Sequence, residues 1–522
     1  MPNDNNPNYK IINNQQYFFK IRLWNTDGDE MIMNPEGVLQ LVIEDDLHFW
    51  VTKGFLVYEN PFEILERKMA PDDTGNDGTQ SRAMKKSSHY NFRNDGRDFL
   101  DVTIRPILED STTNEPEANT LPITDLDPEL WELKYTFVVY DKEDLEVQNI
   151  TQKMKKLYFW DSQYQKMLDK KIQWSSATSD RNAAKRADTN YDPSLATDAE
   201  REMFTGDVVR DILETNGFEV DDERFDIGSS SVFYTSFHDQ NIWESIDYNL
   251  DDHMSKSSGG VTDTVDISLF KKDRYTNKFE LEPLHKIFEK AGSVSDDPKE
   301  YQIEHFFFDE TVGLGTPSVN KAPMLDSAST TTDVKMTKIK KYQYVDMSSI
   351  DSTNRLVTMP VHAYDNKNKT FSINIEESNI EYIQSLISKV YIENKLLSNN
   401  GSHPLLSLNK DKTENQTISP VGAHGANKRS IYSAGLGQLL YNSIFLNNCI
   451  VINVDGATIR RTGRFIGLDR LSFSDDKFDY KLCGQWLTTN VKHNFFHNMY
   501  TNEVTAVKMH SYDTLNVDDT VA

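Results

Sequence analysis

At 522 residues the chain is too long for one hydrophobic core, so three or four structural units are expected. It carries 82 acidic against 56 basic side chains, and a balance of −26 repels phosphate backbones and argues against specific nucleic-acid binding. Cys449 and Cys483 are too few for a disulfide framework and too far apart in sequence for a metal pair, and no apolar run is long enough to span a bilayer.

In chain order, Tyr17 to Trp24 reads as an aromatic strand, followed by strands at Gly37 to Ile43, Phe49 to Tyr58, Phe99 to Ile104 and Trp131 to Tyr140. Their spacing suits a first β-barrel or sandwich over 17–148, behind an N-terminal tail 1–16. The polar stretches Met69 to Asp98 and Asp110 to Pro128 cannot bury enough apolar surface to offset their ordering entropy, and are expected as long surface excursions. From Ile150 the period changes: Ile150, Met154, Leu157, Tyr158 and Leu168 fall on one helical face, with lysines outside it, predicting an amphipathic helix that opens a mixed α/β middle domain over 149–334.

After the polar loop Ser175 to Thr197, Thr205-Gly206-Asp207 caps a helix that points Val208, Val209, Ile212 and Leu213 inward and ends at Gly217. An aromatic strand at Phe233 to Phe237, a helix at Ile242 to Met254, a strand at Ile267 to Phe270, a short helix at Pro283 to Gly292 and a strand at Glu304 to Phe308 complete this domain. The Ser/Thr/Pro/Gly-rich Gly313 to Asp333 marks a boundary. Strands resume at Tyr342 to Asp346, Leu356 to Tyr364 and Thr370 to Ile375, beside Lys335, Lys338, Lys340 and Lys341, which read as edge lysines that discourage stray pairing. A helical insertion over 376–445 carries the helix Ile380 to Leu397, the loop Ser402 to Arg429 and a helix near Ile431 to Asn442.

The last folded segment is the most regular. Strands at Cys449 to Val454 and Gly463 to Arg470 lead into a hairpin about His497-Asn498. Strict alternation assigns Leu487, Thr489, Val491, His493 and Phe495 to one face, and Tyr500, Asn502, Val504 and Ala506 to one face of the return strand. Trp486 is the expected packing anchor, with Phe495, Tyr500 and Val504 as its neighbours; His493, without a base or nucleophile near it in sequence, reads as a hydrogen-bonded core or interface histidine. Residues 335–375 and 446–513 then form a second β-barrel, and 514–522 is an acidic tail. The expected fold is α+β and mainly β: two small antiparallel β-barrels, a mixed α/β middle domain and a helical insertion.

This order of helix, strand, glycine-marked strand and closing Gly-x-Trp-x₄-Val-x-His-x-Phe…Tyr hairpin resembles the baseplate hub protein of T-even-like contractile bacteriophages, whose hub part is shared by type VI secretion spike proteins. The helix at 208–217, the aromatic strand and the helix at 242–254 resemble that family's middle domain. The resemblance implies a non-enzymatic virion protein of the tail baseplate, assembled in the host cytoplasm. It implies a homotrimeric ring of pseudo-sixfold character that joins the hexameric tail tube to a separate trimeric spike and lets DNA pass. Expected partners are that spike, tail tube or tube-initiator proteins, and baseplate wedge proteins. The long polar stretches exceed the family's simplest pattern, and the chain stops after the hairpin where type VI spikes continue into a β-helix.

Chemistry-bearing motifs give little. There is no His-Glu-x-x-His, Cys-x-x-Cys, Gly-x-Ser-x-Gly or P-loop pattern, and Lys367, Lys369 and Thr370 spoil the calcium-loop spacing of Asp365 to Glu376. No catalytic residue, cofactor or metal is therefore expected. With no charged start followed by an apolar run, a cytoplasm-like compartment without a membrane anchor is expected. Two other readings stay open: a cell-wall or glycan-degrading tail enzyme built on a carboxylate pair, and a hub component of a bacterial contractile injection system.

Overall fold

The computed structural model describes residues 8–13, 15–59, 90, 92, 97–109, 116–117, 132–146, 153–176, 179, 203–227, 231–232, 236–251, 253, 255–256, 265–266, 268–283, 286, 304–308, 338–345, 361–365, 370–374, 448–470, 482 and 484–508. The N-terminal part supplies β1 (Tyr9–Ile12), β2 (Gln15–Asn25), β3 (Glu30–Ile32), β4 (Val38–Asp46), β5 (Lys53–Glu59), β6 (Asp98–Glu109), β7 (Pro116–Glu117), β8 (Leu133–Glu146) and β9 (Lys153–Asp161). They pair antiparallel in the order β1-β2-β6-β8-β9-β5-β4, with β3 on β2 and β7 on β6. Alternation drives the curl: β2 buries Tyr17, Phe19, Ile21 and Leu23 and leaves Phe18, Lys20, Arg22 and Trp24 half-buried on the other face. The buried rows meet as one core with Leu41, Ile43, Leu56, Leu100, Val102, Phe137, Leu157 and Phe159.

The predicted helix from Ile150 is a correction. Lys153–Asp161 is a strand between β5 and β8, and only Ser162–Asp169 (α1) is helical. Leu157 and Phe159 point inward at period two, and so does Lys155, which reaches Asp144 at 3.1 Å and lies over Phe92. An inward lysine disguised the alternation as helical spacing, and the first sheet consequently runs past the expected boundary at 148. The N-terminal tail also shortens, because β1 pairs with residues 15–18 of β2.

The middle part holds β10 (Lys171–Ser175), β11 (Met203–Phe204), α2 (Thr205–Thr215), β12 (Val220–Phe225), β13 (Ser231–Val232), β14 (Ser236–Asn241), α3 (Ile242–Asp251), β15 (Ser255–Lys256), β16 (Val265–Asp266), β17 (Ser268–Lys272) and β18 (Phe279–Pro283). Helix α2 buries Val208, Val209, Ile212 and Leu213 and ends where Gly217 takes φ +83°. Its expected cap differs: Phe204 is the N-cap residue, without a side-chain bond, and Thr205 instead meets His253. The core between α2, α3 and the short strands includes Trp50 and Val51 from the β4–β5 connection, so it is continuous with the first sheet.

The C-terminal strands are β19 (Glu304–Phe308), β20 (Lys338–Val345), β21 (Val361–Asp365), β22 (Thr370–Asn374), β23 (Asn448–Asp455), β24 (Phe465–Arg470), β25 (Gly484–Phe496) and β26 (Met499–Lys508). Pairing runs β25-β24-β19-β20-β23-β26 and returns to β25, a circuit of six strands. The pairings of β19 with β20 and β24 are parallel and the other four are antiparallel. Strand β19, expected in the middle domain, thus belongs here, and β21 and β22 pair only with each other among the described residues. Among the described residues the molecule is mainly β: fifteen strands form one large curled, mostly antiparallel sheet beside few helices. The helices expected at 380–397 and 431–442, the linker 313–333, most of the helix expected at 283–292 and the tail 514–522 lie outside the described residues.

Candidate functional site

Strand β25 is where the two halves of the sheet become one. Its residues Gly484 to Leu487 pair with β24, its residues Asn490 to Phe496 pair with β4, and β26 runs along its other edge from Leu487 to Phe496. The switch of neighbour falls on a β-bulge: Thr488 opposes Ala506, Asn490 opposes Thr505, and Thr489 is the extra residue. Three backbones converge there, with Leu47 N–H donating to the Thr489 carbonyl at 2.7 Å, Gly463 N–H to the Thr488 carbonyl at 2.9 Å and Thr488 N–H to the Arg464 carbonyl at 2.8 Å.

The bulge corrects the expected face. One additional residue shifts the phase of a period-two strand, so Trp486 and Thr488 share the inner face with Val491, His493 and Phe495, while Leu487 and Thr489 do not. All six expected hairpin residues are buried: Trp486, Val491, His493 and Tyr500 at 0 %, Val504 at 1 % and Phe495 at 2 % exposure. Four of them divide between two cores. Phe495 and Tyr500 stack at 4.0 Å and 11° within the first core, whereas Trp486 and Val504 lie in the second with Phe306, Ile450, Ile452 and Leu468. Phe495 and Tyr500 are therefore not in the core of Trp486, whose indole N–H donates to the Leu482 carbonyl at 3.0 Å.

Between the cores lies a polar layer. Asn502 Oδ1 accepts from Ala457 N–H at 2.7 Å and from Arg460 at 2.8 Å, which fixes the amide with Nδ2 toward His493 Nδ1, 3.0 Å away. Tyr500 Oη lies 2.7 Å from the same nitrogen, so Nδ1 is an acceptor and the ring proton sits on Nε2. Burial, then the guanidinium groups of Arg274 and Arg460, hold the His493 pKa well below 6.5. The imidazole is neutral and serves as an acceptor; this geometry gives it no base role.

A second polar cluster joins the first sheet, the middle part and the circuit. Asp45 accepts from Thr52 at 2.7 Å and from Tyr135 at 3.2 Å; Arg274 donates to Tyr275 at 2.6 Å and to the Thr458 carbonyl at 2.9 Å; Asp273 lies 3.8 Å from Arg461. Lys272 pairs with Asp161, and Lys271 with Glu280 and Glu282. Burial raises the Asp45 carboxyl pKa, against Arg274, Thr52 and Tyr135, which lower it. For Asp273 burial also pushes upward, but the Thr276 amide, Arg461 and the Tyr275 amide outweigh it and hold the group below 3.8. The cleft here, about 80 Å³ and lined by Asp45, Trp50, Lys271, Arg274 and Arg461 among others, is far smaller than the roughly 300–1,000 Å³ of pockets that hold organic ligands.

The arrangement nearest to hydrolytic chemistry is His253 with Thr205 at 2.9 Å, Ser268 at 3.2 Å and Asp226 at 3.5 Å. Ser268 donates to Asp226 at 3.1 Å and both approach Nε2, so for Ser268 the carboxylate is not behind the imidazole; for Thr205, on Nδ1, it is, but the Thr205 hydroxyl is fully buried, out of reach of a substrate. Sequence reasoning read Thr205 only as a helix cap and did not bring these four residues together, since they come from four separated segments. Among the described residues no group of three or more His, Cys, Asp or Glu side chains is placed to hold a metal ion, and no helix is long and apolar enough to cross a membrane.

No family model and no curated relative matches the chain. Among solved structures it is similar to a tail protein from Neisseria meningitidis MC58, with 8 % identity, TM-score 0.43, and coverage of 94 % of this chain and 96 % of that one. It is also similar to the 43 kDa tail protein of prophage MuSo2 from Shewanella oneidensis, with 9 % identity, TM-score 0.43, and coverage of 95 % and 100 %. A chain of the Francisella PdpA–VgrG complex gives 8 % identity and TM-score 0.42 over 97 % of this chain and 60 % of that one. At these scores the likeness is loose and transfers no function.

Proposed function

We propose that the chain is a structural component of a phage tail baseplate, the central hub of a contractile tail or of a related injection machine, without catalytic activity. The observation that carries the reading is the fusion of two strand-built units through one continuous strand, β25. A polypeptide with two such units, repeated about a threefold axis, presents six similar units to one neighbour and three chains to another. That is the geometry a collar between a hexameric tube and a trimeric spike needs. On this reading the chain forms a homotrimeric ring of two barrels per protomer, contacts a spike, tube-initiator and wedge proteins, resides in the virion tail after assembly in the host cytoplasm, and lines the DNA passage with part of its acidic excess.

The test is the mass in solution by light scattering coupled to size exclusion, with peptidoglycan and polysaccharide hydrolysis measured in parallel. A particle of three times the 60.1 kDa chain mass without hydrolytic activity supports the reading. A monomer that hydrolyses either polymer overturns it. Reversal of acidic residues to lysine on the ring's inner wall is expected to slow genome ejection; unchanged ejection removes the passage role.

A further inference from the structure

Strand β1 and the turn after it bring the first sheet back to its own far end. On one side β1 pairs with β2 over Tyr9 to Ile12; beyond it, Asn13 meets the tip of the β25–β26 hairpin. Asn13 takes φ 52°, a left-handed conformation that asparagine tolerates better than most residues. Its N–H donates to the Asn498 carbonyl at 2.9 Å, its Nδ2 donates to the Tyr500 carbonyl at 2.7 Å, and its Oδ1 accepts from Tyr500 N–H at 3.3 Å. The side-chain amide thus makes the two bonds that a neighbouring strand would make with Tyr500. Rings meet across the same seam, Tyr17 against Tyr500 at 6.0 Å and Phe19 against Phe495 at 5.7 Å.

We propose that β1 is a releasable strap, which closes this seam when docked and undocks while both cores stay folded. Its hold is narrow. Strand β6 pairs with β2 from Gln16 to Asn25, whereas β1 pairs with it only from Gln15 to Phe18. Ile12 is fully buried in the first core, but Ile11 is 63 % exposed. Lys10 is buried, and its ammonium donates to two carbonyls, Pro35 at 2.9 Å and Val38 at 2.8 Å. Neutral acceptors offset only part of the cost of taking an ammonium out of water. Burial lowers the Lys10 pKa accordingly, against Glu36, which raises it. Undocking returns that charge to water, so the strap gives up less on release than an apolar strand of equal length.

Release acts at a residue that both halves hold. The Tyr500 carbonyl accepts from Gly456 N–H at 3.0 Å as well as from Asn13, and the Tyr500 hydroxyl lies 2.7 Å from His493 in the polar layer between the cores. Undocking takes Asn13 from both backbone groups of Tyr500 and uncovers the edge of β2 from Gln15 to Phe18, a template for pairing that the docked strap hides. The strap does not depend on the hub assembly.

The experiment is amide hydrogen exchange of the full chain in rising denaturant below its unfolding transition. The reporters are the amides of Asn13, Tyr500 and Phe19, the last donating to the Asn8 carbonyl at 2.7 Å. They are expected to exchange at least roughly tenfold faster than those of Leu100 and Phe137 in β6 and β8, with little dependence on denaturant. Asn13→Ala should speed the reporters about tenfold further and leave β6 and β8 unchanged. A second readout is thiol labelling in a chain with Cys449→Ser and Cys483→Ser. The thiol of Ile12→Cys is expected to react roughly a hundredfold faster than that of Leu100→Cys, although both positions are fully buried. Reporters that share the denaturant dependence of β6 and β8, equal labelling of the two thiols, or an Asn13→Ala chain that exchanges faster everywhere alike would overturn the strap.

Discussion

Gly456 shows how closely the hairpin is fitted. Its N–H donates to the Tyr500 carbonyl at 3.0 Å, and a Cβ there would lie 2.2 Å from the Tyr500 ring. Gly456→Ala is therefore expected to lower stability by about 1–3 kcal/mol through overpacking, read from the denaturant midpoint. His493 gives a pH signature. Its folded pKa lies well below 6.5, so the unfolded chain takes up the proton first. The stability it supports is fully present above 6.5 and declines as pH falls from there toward the folded value. His493→Gln, which keeps an acceptor for Asn502, is expected to flatten that part of the stability–pH curve. Asp273, held below 3.8, acts in a separate window: its contribution is present above 3.8 and is lost only as pH falls through the lower folded value. A melt series from pH 8 to 3 separates the two.

Among the elements, β25 is the informative one, because its bulge decides which core each side chain enters. Deleting Thr489 would restore strict alternation and turn Trp486 away from the second core, while Val491, His493 and Phe495 stayed in register with β4. The expected result is loss of hydrogen-exchange protection in β19, β20, β23 and β24 with the first sheet retained. Trp486→Ala leaves the register alone and should cost about 3–5 kcal/mol for a fully buried indole. A deletion no more damaging than the Trp486 truncation would show that the bulge does not set the phase.

For the molecule as a whole, one continuous strand and a junction of paired charges connect the two cores. Phe495→Ala in the first core and Trp486→Ala in the second should therefore lower the midpoint of the same single calorimetric transition. Two transitions, each sensitive to one substitution, would mean that the halves fold independently. The proposed ring adds a concentration dependence: if three chains assemble, dilution should lower the midpoint by mass action.

Much of the architecture was legible in the residues themselves. Period-two burial in 17–24, the glycine-punctuated strands after 449 and the hairpin about His497-Asn498 are local consequences of side-chain alternation and turn chemistry, and they lie where the pattern puts them. Local pattern stopped short at Lys155, an inward lysine whose strand placement depends on Asp144 from a different strand. It also stopped at Thr489, where three backbones from distant segments meet and one inserted residue turns Trp486 from one face to the other. A sequence determines its own alternation, because that needs only neighbours along the chain. Which strand lies beside which, and into which core a face then points, belongs to contacts between segments hundreds of residues apart, and only the folded chain decides them.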